Sequence, residues 1–217
     1  MTPNTRSGSR LGDESLTDWL LLHKRQASWA LLVFVFLVGG LWYFQRSRSL
    51  REQHAEKAYY EARQAASAGN LPLAVSDLKK VVTRYEGTSG GTQAAIFLAQ
   101  ALYEQKKHQE GITELKKALD GAPEDFVPSI HALIAAGYEE LKDFGAGAAE
   151  YKEASTATRF PAEKANYLAA AGRAYMAAGK RAEARAIWAE LAEDETGPLA
   201  AEARVRLGEM DAKPMTT

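Results

Sequence analysis

A repeat of about 37 residues constrains this chain more than any other feature of its sequence. Small residues recur at regular intervals of 37, 36 and 37 residues, at Ala74, Gly111, Gly147 and Ala184. A large residue follows each of them by four positions, and a small or apolar one comes three positions later: Leu78, Leu115, Tyr151 and Trp188, then Val81, Ala118, Ala154 and Leu191. Residues three and four apart share one face of a helix. The spacing therefore predicts four helical hairpins, which must stack because one hairpin cannot bury its apolar face alone.

The rest of the chain after residue 45 also has the composition of helices. Ala, Glu, Lys, Leu and Gln dominate it, and these residues favour helix formation. Short breaks separate the helical stretches, at Gly69-Asn70, 86–91, 121–123, Phe160-Pro161, Gly179 and 196–198. Links this short place consecutive helices antiparallel. A last helix, Pro198–Met210, carries Leu199, Ala203 and Leu207 on one side and is predicted to cap the stack.

An uncharged, strongly apolar run, Ala27–Phe44, precedes the repeats. Its eighteen residues would rise roughly 27 Å as a helix, close to the ~30 Å hydrocarbon core of a bilayer. Aromatic residues occupy both ends, as is typical of side chains that settle at lipid headgroups. A secretory signal would have a shorter apolar core and a small-residue cleavage site, which the following Leu-Trp-Tyr-Phe-Gln-Arg lacks. The run predicts one retained transmembrane helix.

Four segments follow from these patterns: a tail over residues 1–26, the transmembrane helix over 27–45, the repeat domain over 46–211, and a disordered tail over 212–217. Residues 1–14 are rich in Gly, Ser, Thr and Pro and are predicted to be disordered. Ser15-Leu16-Thr17-Asp18 resembles a helix capping box. The residues that follow it have two equally favoured interpretations: a short helix lying in the membrane interface, or the first turns of the transmembrane helix.

Composition excludes several classes of function. The chain has no cysteine, which rules out disulfides, thiolate metal sites, cysteine nucleophiles and a lipid-modified cysteine anchor. Its net charge is −1, without the basic stripe of a nucleic-acid binder. The four histidines (His23, His54, His108 and His131) are scattered, and no catalytic or cofactor-binding motif is present. We therefore expect no enzyme, no metal, no cofactor and no small-molecule substrate.

The first helix of each hairpin is expected to line the concave face of the stack. The repeat spacing places ten side chains toward that groove: Tyr59, Arg63, Gln93, Ile96, Gln100, Tyr103, Glu139, Asn166, Arg173 and Met176. Rings, amides and both charge signs suit an extended polypeptide better than a small anion. At any single position, ordinary packing or a solvated surface is the alternative. Tyr59, Tyr103 and Arg173 are the strongest candidates, since aromatic and arginine side chains dominate binding energy at interfaces.

The repeat resembles the tetratricopeptide repeat (TPR). The second unit carries the likeness best, through Leu98-Ala99, Leu102, Gly111, Leu115, Ala118 and Pro123. The glycine usual in the middle of such a repeat is replaced by Lys106 and Lys142 in units two and three. The resemblance implies an all-α fold: a single N-terminal transmembrane helix, then a TPR-type α-solenoid of about four hairpins with a C-terminal capping helix.

Tail, membrane helix and small solenoid together resemble the YfgM-like ancillary subunits of the SecYEG translocon. Asp18-Trp19, residues 65–70 and the unit from Gln93 to Leu119 carry this likeness. It implies a protein of the bacterial inner membrane that assists translocated proteins, binding the SecYEG translocon and periplasmic chaperones or clients. A TPR scaffold that organises a cell-envelope or division complex is the alternative.

Membrane orientation follows from the resemblance rather than from charge. The family implies a cytoplasmic N-terminus and a periplasmic TPR domain. Lys24 and Arg25 precede the apolar run, whereas Arg46, Arg48 and Arg51 follow it. Basic residues concentrate on the cytoplasmic side of membrane proteins, so the charge count mildly opposes the orientation that the family implies.

Overall fold

The described part of the chain, residues 24–194 and 196–212 of a computed structural model, is helical between its turns. Nine α-helices and one 3-10 turn (Glu124–Phe126) occupy these residues. The helices are α1 (Lys24–Ser67), α2 (Leu71–Arg84), α3 (Ser89–Glu104), α4 (His108–Leu119), α5 (Val127–Glu140), α6 (Phe144–Ala157), α7 (Pro161–Ala177), α8 (Arg181–Glu193) and α9 (Ala200–Asp211). The predicted capping box at residues 15–18 and the predicted tail beyond residue 212 lie outside the described residues.

Helix α1 is unbroken over 44 residues. The predicted membrane segment and the first repeat helix are thus one helix, because no glycine or proline occurs between Phe44 and Ser67 to end it. The chain divides into two compact units, one ending at Leu50 and the other beginning at Arg51. Within the described residues, no helix combines the length and the apolar character needed to cross a membrane.

Four antiparallel hairpins build the second unit, and they confirm the predicted solenoid. The second helices are α2, α4, α6 and α8, and the small residue near the start of each is buried. Leu78, Leu115 and Trp188, four positions later, are completely buried, while Tyr151 is half-buried. The small residue lets the two helices of a hairpin approach closely, and the large residue fills the space beside it.

The core runs along the stack as three clusters of buried side chains. One cluster joins α1, α2 and α3 around Leu78 and Leu98, and the next joins α3, α4 and α5 around Leu115 and Ile134. A third cluster surrounds Trp188 and includes Ala203 of α9. Leu199 and Leu207 pack against this third cluster, so α9 caps the last hairpin as predicted. It starts at Ala200, two residues later than the sequence pattern indicates.

The turn inside every hairpin has the same backbone geometry. The residues at Gly69, Lys106, Lys142 and Gly179 all adopt a left-handed conformation, with φ between 62° and 81°. In each case this residue and the next donate backbone hydrogen bonds to the last turn of the preceding helix, as Lys106 N to Tyr103 O (2.9 Å) and Lys107 N to Leu102 O (2.8 Å). This pair of bonds is the Schellman motif, which normally takes a glycine. Two hairpins therefore form the same turn with lysine.

Replacing Lys106 with glycine is expected to stabilise the protein. A residue with a β-carbon in the left-handed region costs about 1–2 kcal/mol, whereas glycine loses about 0.4–1 kcal/mol through its freer unfolded state. The net gain in unfolding free energy should be about 0.5–1 kcal/mol, measured by urea denaturation.

The matched control is Gly179→Ala, at a turn with φ of 72° and open space around the position of the added methyl. This variant should lose stability by a similar amount. A loss of stability in Lys106→Gly would contradict the explanation.

Candidate partner-binding groove

A row of accessible side chains follows the first helices of the four hairpins. The repeat spacing aligns three positions on each of α1, α3, α5 and α7, and the structure leaves all twelve at least partly exposed. We refer to this surface as the first-helix groove. Its members are Glu56, Tyr60 and Arg63; Gln93, Phe97 and Gln100; Ser129, Leu133 and Ala136; and Asn166, Ala170 and Arg173.

On each first helix, the residue before the third groove position is turned into the core. These four residues, Ala62, Ala99, Ala135 and Gly172, are all buried. Tyr59 and Tyr60 show the contrast most clearly, since 8% of Tyr59 is exposed against 62% of Tyr60. Tyr60 thus presents its ring to solvent, whereas Tyr59 belongs to the cluster around Leu78.

The ten side chains predicted for the groove all lie on first helices, but they differ in accessibility. Five are exposed: Arg63, Gln100, Asn166, Arg173 and Met176. Four are partly buried: Gln93, Ile96, Tyr103 and Glu139. Tyr59 alone among the ten is buried. Sequence reasoning missed the groove row Tyr60, Phe97 and Leu133, whose alignment at the repeat interval was the available signal.

Two cavities bring predicted residues together. One, of about 320 Å³, lies between the first two hairpins and is lined by Phe97, Gln100, Tyr103 and Glu104 together with residues of α1 and α2. The other, of about 210 Å³, lies at the last hairpin and includes Arg173 and Met176. The groove thus offers an aromatic recess at one end and an arginine-bearing recess at the other.

Tyr103 acts as a wedge between two hairpins. Its hydroxyl donates a hydrogen bond to the carbonyl oxygen of Leu133 at 3.1 Å. The ring occupies space that β-carbons at Gly111 and Gly137 would otherwise need, since a methyl group on Gly137 would lie 2.8 Å from Cζ of Tyr103. The ring therefore favours glycine at both positions, and at Gly137 Cγ1 of Ile112, 2.8 Å from the same added methyl, limits the space as well. The principal role of Tyr103 is therefore to hold α3, α4 and α5 in register.

Burial of the Tyr103 phenol raises its pKa far above the ordinary value near 10. Burial, together with the nearby Glu139 carboxylate, likewise raises the pKa of Tyr151 to about 12. Tyr151 also donates a hydrogen bond to Glu139 Oε2 at 3.3 Å. Both phenols therefore stay neutral in the folded protein at pH values where an unfolded chain would release their protons.

The pKa of Tyr103 is higher in the folded protein than in the unfolded chain, and this difference predicts a loss of stability in alkali. The unfolded state loses the Tyr103 proton first, so the stabilisation is complete below about pH 10 and falls as the pH rises toward the folded pKa. Tyr103→Phe should be less stable than the native chain by about 1 kcal/mol at pH 8, because it lacks the hydrogen bond to Leu133. That difference should shrink above pH 10 when urea midpoints are compared. A difference independent of pH would argue against a buried neutral phenol.

Charged contacts span neighbouring elements along the groove. The Arg63 guanidinium lies 6.0 Å from the centre of the Phe97 ring and so links the first two hairpins. Arg173 Nη1 contacts Glu202 Oε1 of α9 at 2.9 Å. Both arginines are exposed, so these contacts contribute little to stability and leave the guanidinium groups accessible to a partner.

Elsewhere, a polar cluster joins α4, α5 and α6. His131 Nδ1 lies 2.8 Å from Glu150 Oε2, and Lys116 Nζ lies 3.7 Å from the other oxygen of the same carboxylate. Among the described residues, no group of three or more His, Asp or Glu side chains is placed to hold a metal ion. The groove has the chemistry of a binding surface: aromatic rings, amides and exposed charges.

Comparison with solved structures identifies the same architecture. A protein of Podosopora anserina with nearly identical TPR-like repeats is 15% identical, with a TM-score of 0.55 over 73% of this chain and 85% of that one. BtubC (BKLC) from P. vanneervenii is 14% identical, with a TM-score of 0.52 over 94% of this chain and 91% of its own. The MamA protein is 17% identical, with a TM-score of 0.51 over 75% and 79% of the two chains. These likenesses show the fold.

No curated protein matches the chain as a relative. A family model does match it: the tetratricopeptide repeat-like domain aligns with residues 18–205. That range covers most of the sequence and all four hairpins. The chain therefore belongs to the tetratricopeptide repeat-like domain family, whose members generally mediate protein–protein interactions.

Proposed function

We propose that the protein binds a segment of a partner polypeptide in the first-helix groove. The observation that carries this proposal is the register of the groove: its third position on each of four successive first helices remains accessible, while the residue just before that position is buried. An extended peptide has repeating backbone amides and side chains, so it can follow such a periodic surface. Exposed Tyr60 and Arg63 supply the residue types that contribute most to binding energy.

Site-specific photo-crosslinking in cells tests the groove. A benzoylphenylalanine introduced at Gln100, which is exposed on α3, should yield discrete cross-linked adducts with other polypeptides. The same probe at Lys79, which is exposed on α2 outside the groove, is the matched control. Equal cross-linking from both positions, or none from Gln100, would contradict a groove-specific partner.

We further propose that residues 27–45 attach the chain to a membrane as a single span. This proposal rests on the uncharged run in the sequence. Among the residues that the structure describes, no helix is long and apolar enough to cross a membrane. Large apolar side chains from Trp29 to Phe44 are exposed, from 48% at Val38 to 82% at Phe36. Consecutive residues point in all directions around a helix, and a helix that is apolar all round needs lipid or protein to cover it.

Alkaline carbonate extraction of membranes tests the attachment. The native chain should remain in the membrane pellet, and a variant with Val35 and Leu37 replaced by lysine should move to the supernatant, because charges at a helix centre are costly in lipid. Replacing the exposed groove residues Gln100 and Asn166 with lysine adds the same charge outside the apolar run and should leave the protein in the pellet. Extraction of the native chain would refute a membrane span.

At the cellular level we propose assistance to translocated proteins at the SecYEG translocon, alongside periplasmic chaperones. The resemblance to YfgM-like subunits and the TPR domain support this role. The alternative is a scaffold for an envelope or division complex. Purification of the cross-linked Gln100 adducts separates the two: translocon subunits and secretory chains favour the first, and division or outer-membrane assembly proteins favour the second.

We propose the inner membrane of a bacterium as the location, with the N-terminus in the cytoplasm and the solenoid in the periplasm. Two reporters fused separately after Thr217, alkaline phosphatase and a fluorescent protein, test this orientation. Alkaline phosphatase activity in the first fusion would support export of the solenoid. Cytoplasmic fluorescence with no phosphatase activity would reverse the orientation, in agreement with the three arginines that follow the apolar run.

A further inference from the structure

Two arginines, Arg46 and Arg48, follow the apolar run with no carboxylate to neutralise them. No Asp or Glu occurs from residue 19 to residue 51. Both arginine side chains are exposed, and neither forms an ion pair with another residue that the structure describes. Their guanidinium groups therefore keep their hydrogen-bond donors for an external anion. We refer to Arg46 and Arg48 as the arginine pair.

The next two charged residues are engaged inside the solenoid instead. Arg51 Nη2 donates a hydrogen bond to the carbonyl oxygen of Glu86 at 3.1 Å. Glu52 Oε1 accepts a hydrogen bond from the backbone N–H of Ser89, at the start of α3, at 2.6 Å. Arg51 thus has a structural contact of its own, and the first carboxylate after the arginine pair is already bonded to backbone.

The arginine pair lies at the depth of lipid phosphates if residues 27–45 span the bilayer. A headgroup layer is roughly 5–8 Å thick, and an α-helix rises roughly 4.5 Å between residues 45 and 48. The rings of Trp42, Tyr43 and Phe44, which are 57–71% exposed, come just before the pair. Such rings settle at the boundary between hydrocarbon and headgroups. The guanidinium groups would follow directly, among the phosphates.

Each arginine lies near a different side of the helix. Residues two positions apart are separated by roughly 200° around an α-helix, so the pair cannot grip one small anion together. The Arg48 guanidinium lies 5.0 Å from the centre of the Phe44 ring, one turn back toward the apolar run. Arg46 shares its side with Trp42, four positions earlier, and Ser49, three positions later. Each side thus combines an arginine with an aromatic residue.

We propose that the arginine pair binds the phosphate groups of two anionic phospholipid molecules, one on each side of α1. A planar guanidinium matches the oxygens of a phosphate through paired, charge-assisted hydrogen bonds. An anionic lipid is favoured because no amine of its own cancels the phosphate charge. This inference rests on the proposed membrane span. It also gives Arg46 and Arg48 a role on the exported side, where the usual distribution of basic residues would not place them.

Native mass spectrometry of the full chain in a nonionic detergent tests the inference, because it counts bound lipids one at a time. The probes are dioleoyl phosphatidylglycerol, which is anionic, and dioleoyl phosphatidylcholine, which is zwitterionic. We expect two phosphatidylglycerol molecules to bind, each about tenfold more tightly than phosphatidylcholine, the effect of a charge-assisted hydrogen bond.

Matched variants assign the two lipids to the two arginines. Arg46→Gln and Arg48→Gln should each remove one tightly bound phosphatidylglycerol, and the double variant should bind both lipids equally. The control combines Arg84→Gln and Arg159→Gln, which remove the same charge from exposed arginines of the solenoid. These guanidinium groups also lie over aromatic rings, at 5.8 Å and 5.0 Å, so the control should keep both lipids.

Three outcomes would overturn the inference. Equal affinity of the native chain for the two lipids would show that anionic headgroups are not selected. Unchanged phosphatidylglycerol binding in the double variant would place the lipids elsewhere. Displacement of phosphatidylglycerol by millimolar inorganic phosphate would assign the arginines to free phosphate. If the native chain resists carbonate extraction but binds both lipids equally, only this inference fails; carbonate extraction of the native chain would refute the membrane span itself.

Discussion

Replacing Trp188 with alanine is expected to lower the free energy of unfolding by about 3–5 kcal/mol, the usual cost of removing a large buried ring. The side chain is completely buried and joins α7, α8 and α9 through Leu168, Leu191 and Ala203. Removing it leaves a cavity where three helices meet, and the last hairpin and its cap should lose cohesion together. In a repeat protein each unit is stabilised chiefly by its neighbours, so the damage should begin at the C-terminal end.

Urea denaturation followed by circular dichroism measures the total loss, and hydrogen exchange locates it. Amide protons of α8 and α9 should exchange faster in the variant, while those of α3 and α4 change less. Tyr60→Ala is the matched control, because 62% of that residue is exposed and substitutions of exposed residues usually change stability by at most about 0.5 kcal/mol. Equal destabilisation by both variants would contradict the role assigned to Trp188.

The second large effect is expected from Gly90→Ala, which should destabilise the protein by about 1–3 kcal/mol, the usual range for overpacking. A β-carbon at Gly90 would lie 2.5 Å from the carbonyl carbon of Ala55 and 2.6 Å from the amide nitrogen of Glu56. These are backbone atoms of α1, so no side chain can rotate away to relieve the overlap. Helices α1 and α3 would have to move apart, which would open the cluster that contains Leu78 and Leu98.

The same substitution at Gly208 should have the opposite sign. Gly208 lies inside α9 with no atom within 4 Å of an added methyl, so alanine should stabilise that helix by about 0.8–1.0 kcal/mol. Urea midpoints of the two variants, measured side by side, separate the effect of packing from the effect of helix propensity. Stabilisation in both variants would show that α1 and α3 are not in backbone contact at Gly90.

Much of the solenoid could be predicted because its small and large residues recur with the period of the hairpin. The interval fixes which residues lie at the contact between paired helices, and Ala74 and Leu78 are buried as that logic requires. The turns at Lys106 and Lys142 were harder to place from composition, since lysine carries no turn signal. Their left-handed backbone follows from the helices on either side, which impose the same geometry as at Gly69.

The binding surface was less predictable than the fold. Tyr59 and Tyr60 are adjacent and identical, and only the rotation of α1 against α2 decides which ring is buried. Tyr103 is a residue type expected at a binding surface, yet its ring fills the space beside Gly111 of α4 and Gly137 of α5. The repeat interval aligns Tyr60 with Phe97 and Leu133, but the burial of Tyr59 and the fit of the Tyr103 ring depend on contacts between helices. The recess around Trp188 needs three helices to form it.

The wedge at Tyr103 also has a consequence for how this family can diverge. Its ring fits only because Gly111 and Gly137 leave room for it, from two different helices. A substitution at either glycine would be disfavoured while the ring is present, and loss of the ring alone would leave a cavity. In homologous chains positions 103 and 111 should covary: where position 103 carries a small side chain, alanine or serine is expected at position 111. At position 137 the same change also needs a residue smaller than isoleucine at position 112, because Cγ1 of Ile112 would lie 2.8 Å from the added methyl.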